Sequence, residues 1–230
     1  MDIKERLTTI QNRIRKAAET CGRDPNAVRL VAVSKTKPAG SVCAAIEAGV
    51  TILGENYIQE AREKISALAA HPVSWHFIGH LQTNKAKFAV KLFDLIHSVD
   101  SLKLARQLDH EAKKVNKIQN ILIQVNVGKE ITKSGVTSED TVSLVEAISK
   151  LPHLSIHGLM TMPPLETHPE DARIYFQTLR LLRDHLAARY PQANWRELSM
   201  GTSADYEVAV QEGATLVRIG TAIVGSRPAR

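Results

Sequence analysis

The sequence predicts an α/β fold, a single (β/α)8 TIM barrel over residues 1–230 with an extra N-terminal helix. Three observations carry that expectation. Eight short, apolar, β-prone runs recur along the chain. Stretches with helical spacing of apolar residues fill the gaps between them. The 230 residues come close to the roughly 250 that eight strand–helix units occupy. A doubly wound open sheet shares this periodicity and competes with the barrel, because periodicity does not show closure. Against it, the turn after the first strand lacks the glycine fingerprint of a dinucleotide site.

The leading helix covers residues 2–20, where Ile3, Leu7, Ile10 and Ile14, with Ala17 or Ala18, share one stripe. Gly22 and Pro25 end it. Strands are expected at 30–35, 52–56, 75–79, 95–100, 121–126, 155–161, 197–201 and 216–222. Among the intervening helices are 101–115, 138–150 and 168–189, the last with Ala172, Tyr175, Phe176, Leu179, Leu182 and Leu186 on one face. A shorter helical run follows from Ala204 to Gln211. No linker, repeat or low-complexity segment interrupts the pattern.

Composition narrows the function. Hydrophobic residues at 43% and charged residues at 23% are ordinary for a globular protein. Cys21 and Cys43 make neither a C-x-x-C pair nor a metal spacing, which suits a reducing compartment. The start, Met1-Asp2-Ile3-Lys4-Glu5-Arg6, alternates charge without an apolar core, unlike a secretory signal. No apolar run reaches membrane-spanning length. A cytoplasmic protein, monomeric and off the membrane, is expected. The net charge of +6 is scattered and aromatics are only 4%, so no specific nucleic-acid partner is expected. A mildly basic surface suits small phosphorylated ligands instead.

Lys35 closes the apolar run Leu30-Val31-Ala32-Val33-Ser34-Lys35, and Pro38 stops further pairing. At the C-terminal end of a barrel strand, a lysine stands where ligands gather. Held partly out of water, such an amine loses its proton more readily and suits Schiff-base chemistry with an aldehyde. A solvated strand-end lysine is the plainer alternative. Asn56 follows the second strand and Gly79-His80 the third. Ser199-Met200-Gly201-Thr202-Ser203 follows the seventh, and Arg218-Ile219-Gly220-Thr221 lies at the eighth. Loops after strands seven and eight commonly form a barrel's phosphate site, and these two are rich in Ser, Thr and Gly. Ser203 also opens the run from Ala204, as a phosphate ligand at a helix end or simply as its cap. Arg218 lies within an apolar strand, with Val217 and Ile219 on the opposite face. Such a guanidinium needs either a carboxylate or a ligand such as a pyridine nitrogen. An aldehyde-binding lysine, a phosphate cup and a ring-nitrogen partner together describe pyridoxal 5'-phosphate (PLP).

Other signals are weaker. His76 and His80 are four apart but straddle a strand end, with no acidic ligand in register for a metal. His97 and His157 are expected as core histidines with satisfied hydrogen bonds. Asp100 is a ligand group or a helix cap. Gly128-Lys129-Glu130-Ile131-Thr132-Lys133-Ser134-Gly135 lacks Walker A spacing and reads as a mobile rim that controls release.

The segments Val31-Ala32-Val33-Ser34-Lys35-Thr36-Lys37-Pro38, Gly54-Glu55-Asn56-Tyr57-Ile58-Gln59-Glu60 and Trp75-His76-Phe77-Ile78-Gly79-His80-Leu81-Gln82-Thr83-Asn84-Lys85 occur in order. Lys133-Ser134-Gly135, Gly158-Leu159-Met160-Thr161-Met162, Leu198-Ser199-Met200-Gly201 and Val217-Arg218-Ile219-Gly220-Thr221-Ala222-Ile223 follow. This set resembles the pyridoxal phosphate homeostasis protein family, whose barrel is similar to the N-terminal domain of alanine racemase. The resemblance implies a PLP carrier with Lys35 as the Schiff-base lysine and Asn56 beside the cofactor. Arg218 would face the pyridine nitrogen, and Ser199 or Ser203, with Gly220 and Thr221, would cradle the phosphate. PLP-dependent apoenzymes would be the recipients. Thr202 stands where family members often carry methionine, and Thr132 where they often carry serine. Two-base racemisation needs an acid/base on each face of the cofactor, and alanine racemase takes one from a second domain. A low-activity amino-acid racemase is therefore the alternative, and a Schiff-base aldolase for sugar phosphates is a third reading.

Overall fold

The structure is a computed structural model that describes residues 2–130, 133–164 and 166–225. Thr132, one of the two family departures, lies outside the described residues, as does Ile131 of the 128–135 rim. The chain begins with α1 (Ile3–Thr20), β1 (Arg29–Val33), α2 (Ala39–Glu47), β2 (Ile52–Glu55) and α3 (Ile58–Ala67). It continues with β3 (Ser74–Phe77), α4 (Ala86–Leu92), β4 (Leu95–Val99), α5 (Leu102–Lys114), β5 (Gln119–Gln124) and α6 (Thr141–Ile148). Then come β6 (Leu154–Met160), α7 (Arg173–Arg189), β7 (Glu197–Ser199), α8 (Tyr206–Gln211), β8 (Leu216–Ile219) and α9 (Thr221–Val224). The strands pair in sequence order, all parallel, and β8 returns to β1 through Arg29↔Leu216 and Ala32↔Ile219. That pairing closes the cylinder and removes the open-sheet alternative.

The helix in front starts on a reciprocal cap. Asp2 accepts from the Glu5 backbone at 2.7 Å, while Glu5 accepts from the Asp2 backbone at 2.9 Å. Its apolar stripe, Leu7, Ile10, Ile14, Ala17 and Ala18, is buried, and the helix packs on α8 and α9.

Side-chain parity organises the barrel. Ala32, Leu53, Phe77, Ile96, Leu198, Val217 and Ile219 point outward into the layer shared with the helices. Val31, Ile52, Leu95, Leu122, Met160 and Leu216 point inward and make an apolar layer across the barrel. One step of two residues toward the C-terminal ends, the inward set turns polar, with His97, Gln124 and Arg218. A further step on β1, β2 and β8 reaches Lys35, Asn56 and Gly220. The functional end is therefore the continuation of the inward stripe past the last ladder bonds.

Every expected strand is present, and every one ends one to three residues earlier than its apolar run. The strands loosen rather than stop there: the Ser34 N–H still donates to the Gly54 carbonyl at 3.0 Å, the Val125 N–H to the Met160 carbonyl and the Met200 N–H to the Leu216 carbonyl, while the chain turns toward the mouth. Helix 204–211 begins later, at Tyr206, because Thr202 N–H donates to Asp205 Oδ1 at 2.6 Å and holds residues 202–205 as a turn. Ser203 is thus not the cap of that helix. Asp100 is not a cap either, since Ser101 accepts from Leu104 N–H at the start of α5.

Candidate functional site

The parity argument brings the sequence-predicted residues to one place. Val33, Lys35, Asn56, Ile78, Met162, Thr202, Ser203, Ala204, Arg218, Gly220 and Thr221 line a cavity of about 270 Å³ at the C-terminal mouth. This is just below the ~300–1,000 Å³ of typical small-molecule pockets. Of the seven expected site residues, Lys35, Asn56, Ser203, Arg218, Gly220 and Thr221 are in its wall. Ser199 is not. It is fully buried one layer deeper, where its hydroxyl accepts from Arg218 Nη1 at 2.7 Å and lies 2.9 Å from His97 Nδ1. The two serines expected as phosphate ligands lie at different depths, with Ser203 exposed at the mouth and Ser199 buried beneath Arg218.

Arg218 is 4% exposed, and among the described residues its hydrogen-bond partners are neutral. Besides Ser199, Nη2 donates to the Thr161 carbonyl at 2.8 Å and to Met162 Sδ at 3.1 Å. Burial pushes its pKa down to about 10, with the Asp205 carboxylate acting in the opposite sense without bonding it, and the group stays cationic at neutral pH. The carboxylate alternative for this arginine is therefore not realised among the described residues.

Beneath it, His97 Nε2 lies 3.0 Å from His76 Nδ1. Donor logic assigns the chain. Arg218 can only donate, so the Ser199 hydroxyl proton is left for His97 Nδ1, and His97 Nε2–H then serves His76 Nδ1. Both imidazoles are neutral. Burial pushes His76 down to about 4 and His97 well below the usual imidazole range. His97 is the satisfied core histidine expected from sequence, whereas His157 is only half-buried beside Asn194.

Asn56 enters the cavity past the end of β2, and Gly79 lets it do so. A Cβ on Gly79 would sit 2.3 Å from the Asn56 carbonyl oxygen, an impossible approach. Asn56 Oδ1 is buried without a hydrogen-bond partner among the described residues. A buried polar atom in this state calls for a ligand or water. At Gly220 a Cβ would crowd Val33 at 3.3 Å, so the glycine keeps the cup open beside the hydroxyls of Ser203 and Thr221. The wall therefore joins an amine, a fixed cation, small hydroxyl-bearing loops and an unpartnered amide oxygen. That donor set fits a phosphorylated aldehyde carrying an aromatic ring nitrogen.

Sequence reasoning missed the support behind Lys35. Glu55 and Lys64 are both buried, and Lys64 Nζ lies 2.7 Å from Glu55 Oε1 and 2.7 Å from the Ser34 carbonyl. The signal was available in the stripe Ile58-Ala61-Lys64-Leu68, which places a lysine on the buried face of α3. The rim at 128–135 is tied at its described ends. Asn126 Nδ2 donates to the Glu130 carbonyl, Lys133 Nζ donates to the Pro163 carbonyl, and Gln124 Nε2 donates to the Ser134 carbonyl.

Comparison with known proteins decides the family. The model of the alanine racemase N-terminal domain matches residues 6–228. A pyridoxal phosphate homeostasis protein from Aquifex aeolicus is 46% identical over 99% of both chains. The chain belongs to the pyridoxal phosphate homeostasis protein family. PipY from Synechococcus elongatus, another relative, has a solved structure with PLP bound. It is 36% identical and superposes with a TM-score of 0.86 over 97% of this chain and all of that one. Alanine racemase from Clostridium difficile shares the fold alone, at 15% identity and a TM-score of 0.72, covering 99% of this chain and 57% of the racemase. Membership in the homeostasis family agrees with the barrel and with the cofactor class that the mouth residues suggested. Among the described residues no helix is long and apolar enough to cross a membrane.

Proposed function

We propose that this chain binds PLP through Lys35 and acts in PLP homeostasis, buffering the cofactor and delivering it. The observation that carries this reading is the shared cavity of Lys35, Asn56, Ser203, Arg218, Gly220 and Thr221. The PLP-bound PipY structure and the family name support it. PLP supplies an aldehyde, which condenses with an amine to form one C=N bond and release one water. Lys35 offers the amine. Ser203 and Thr221 offer hydroxyl donors to a phosphate, and Gly220 keeps room for it. Arg218 presents a cation to the ring nitrogen and disfavours its protonation, which weakens PLP as an electron sink. On this reading the chain works in the cytoplasm as one barrel domain, and PLP-dependent apoenzymes receive its cargo.

The lining also supports a carrier over a racemase. Among the described wall residues Lys35 is the one amine, and no His, Asp, Glu, Cys or Tyr stands opposite it, whereas two-base racemisation needs an acid/base on each face. The test is to titrate purified protein with PLP, reduce with borohydride and map the product by peptide mass. A pyridoxyl group on Lys35 is expected. Its appearance only on another lysine, such as Lys37, would overturn the attachment. Exchange of amino-acid α-protons in deuterated water at metabolic rates would overturn the carrier reading.

A further inference from the structure

We propose that the buried Lys64–Glu55 pair is a positioning device that holds the Ser34–Thr36 turn, so that Lys35 presents its amine to the cavity. The proposal rests on Lys35 being the attachment point. Parity separates the two sides of the turn. Lys35 continues the inward stripe of Val31 and Val33, whereas Ser34 continues the outward face after Ala32, and Glu55 the outward face after Leu53. Between these strand ends and α3 lies a closed polar cluster. Lys64 Nζ donates to the Ser34 carbonyl at 2.7 Å, to Glu55 Oε1 at 2.7 Å and to Glu60 Oε2 at 3.3 Å. Ser34 Oγ donates to Glu55 Oε1 at 2.6 Å, and the Thr36 N–H donates to Glu60 Oε2 at 2.7 Å. Both neighbours of Lys35 are thus gripped from α3 and β2.

The turn needs gripping. Thr36 sits at φ +62°, a region that β-branched residues rarely occupy and that persists only where surroundings impose it. The cluster is also an expensive way to fill space. Glu55 is fully buried and Lys64 is 5% exposed, yet Glu55 Oε2 has no partner among the described residues. A desolvated pair seldom stabilises a fold more than well-packed apolar residues would. What it provides here is direction, because one ammonium ties the carbonyl of Ser34 to two carboxylates, and the second carboxylate ties the N–H of Thr36. Neither Lys64 nor Glu55 is in the cavity wall, so both act through the turn.

The test compares two ligands in Lys64→Met and in the double variant Glu55→Gln/Lys64→Met, which leaves no unpaired charge at either position. PLP carries the aldehyde that Lys35 needs; pyridoxine 5'-phosphate keeps the ring and phosphate but carries an alcohol. Positioning predicts that the PLP Kd rises about tenfold or more while the pyridoxine 5'-phosphate Kd stays within about twofold. The borohydride-fixed yield on Lys35 should fall in step with PLP binding. Equal loss of both ligands, or loss of neither, overturns the proposal. A double variant unable to fold assigns the pair to stability and overturns it too. Failure of the underlying reading looks different: wild-type protein would then bind both ligands alike and give no reduced adduct at Lys35.

Discussion

Arg218 donates through Nη1 to the Ser199 hydroxyl, 2.7 Å away in the barrel interior. That single bond orders everything beneath it. It fixes the direction of donation through His97 to His76, so a permanent cation faces the cavity while two neutral imidazoles support it from below. Charged donors strengthen such chains by polarising each successive bond. The cavity-lining cation and the polar floor of the barrel are one structure.

Arg218→Lys keeps the charge but loses the fork. One ammonium on a shorter stem cannot reproduce the reach of Nη1 to Ser199 and of Nη2 to the Thr161 carbonyl. One buried acceptor is left short, which costs about 1–3 kcal/mol. Urea melts of the apo protein should register that loss. PLP should also raise the Tm of the variant less than that of wild type, since ligand stabilisation follows occupancy. Equal PLP-induced shifts would remove Arg218 from the binding site.

The buried imidazoles make stability depend on pH in a defined window. His76 titrates at about 4 in the fold and His97 is also pushed well below its ordinary value, both by burial. Unfolded imidazoles titrate near 6.5. Between those values the unfolded chain binds more protons than the native one, so unfolding free energy rises with pH. The contribution is complete above about pH 6.5 and is lost as pH falls toward the folded values, by about 2 kcal/mol at pH 5 for His76, with His97 adding in the same direction. Denaturation measured at pH 7.5 and pH 5 should show the loss, and His97→Gln should reduce the slope. An unchanged slope would mean that His97 takes up its proton inside the fold.

How far this was legible in the sequence follows from which forces leave a local trace. The eight strands and the leading helix left one, because apolar periodicity survives in any single segment. That Lys35, Asn56, Arg218 and Gly220 would line one cavity was readable because each stands at or just past a strand end. The depth of Ser199 was not legible, because it depends on where β7 stops, and an apolar run that outlasts the strand conceals that point. The Lys64–Glu55 pair joins residues nine positions apart on a strand and the following helix. Only packing of α3 on the barrel brings them together, and closure itself is a long-range property.

Gly79→Ala should disturb the cavity without removing any group from it. The added methyl carbon would meet Asn56 backbone atoms at 2.3–2.9 Å, and backbone cannot step aside as a side chain can. Overpacking of this kind costs about 1–3 kcal/mol. Asn56 should be displaced from the wall, weakening PLP binding as well as lowering the Tm. A variant with native Tm and native PLP affinity would show that β2 and β3 yield here freely.

Ser203 and Ser199 should separate cleanly when each is changed to alanine. Ser203 is exposed at the mouth and caps no helix, so Ser203→Ala removes a hydroxyl that matters only to a ligand. Stability should stay within about 0.5 kcal/mol of wild type. Affinity for PLP should fall by about 1 kcal/mol, or roughly fivefold, and inorganic phosphate should compete less well. Ser199→Ala has the opposite profile. It strands Arg218 Nη1 and His97 Nδ1 in a sealed layer, so apo stability should fall by about 1–3 kcal/mol. Phosphate competition should change little, because Ser199 lies a full layer below the cup. If Ser199→Ala instead lost phosphate affinity at unchanged stability, the deeper serine would be the anion ligand and the assignment of the two residues would reverse.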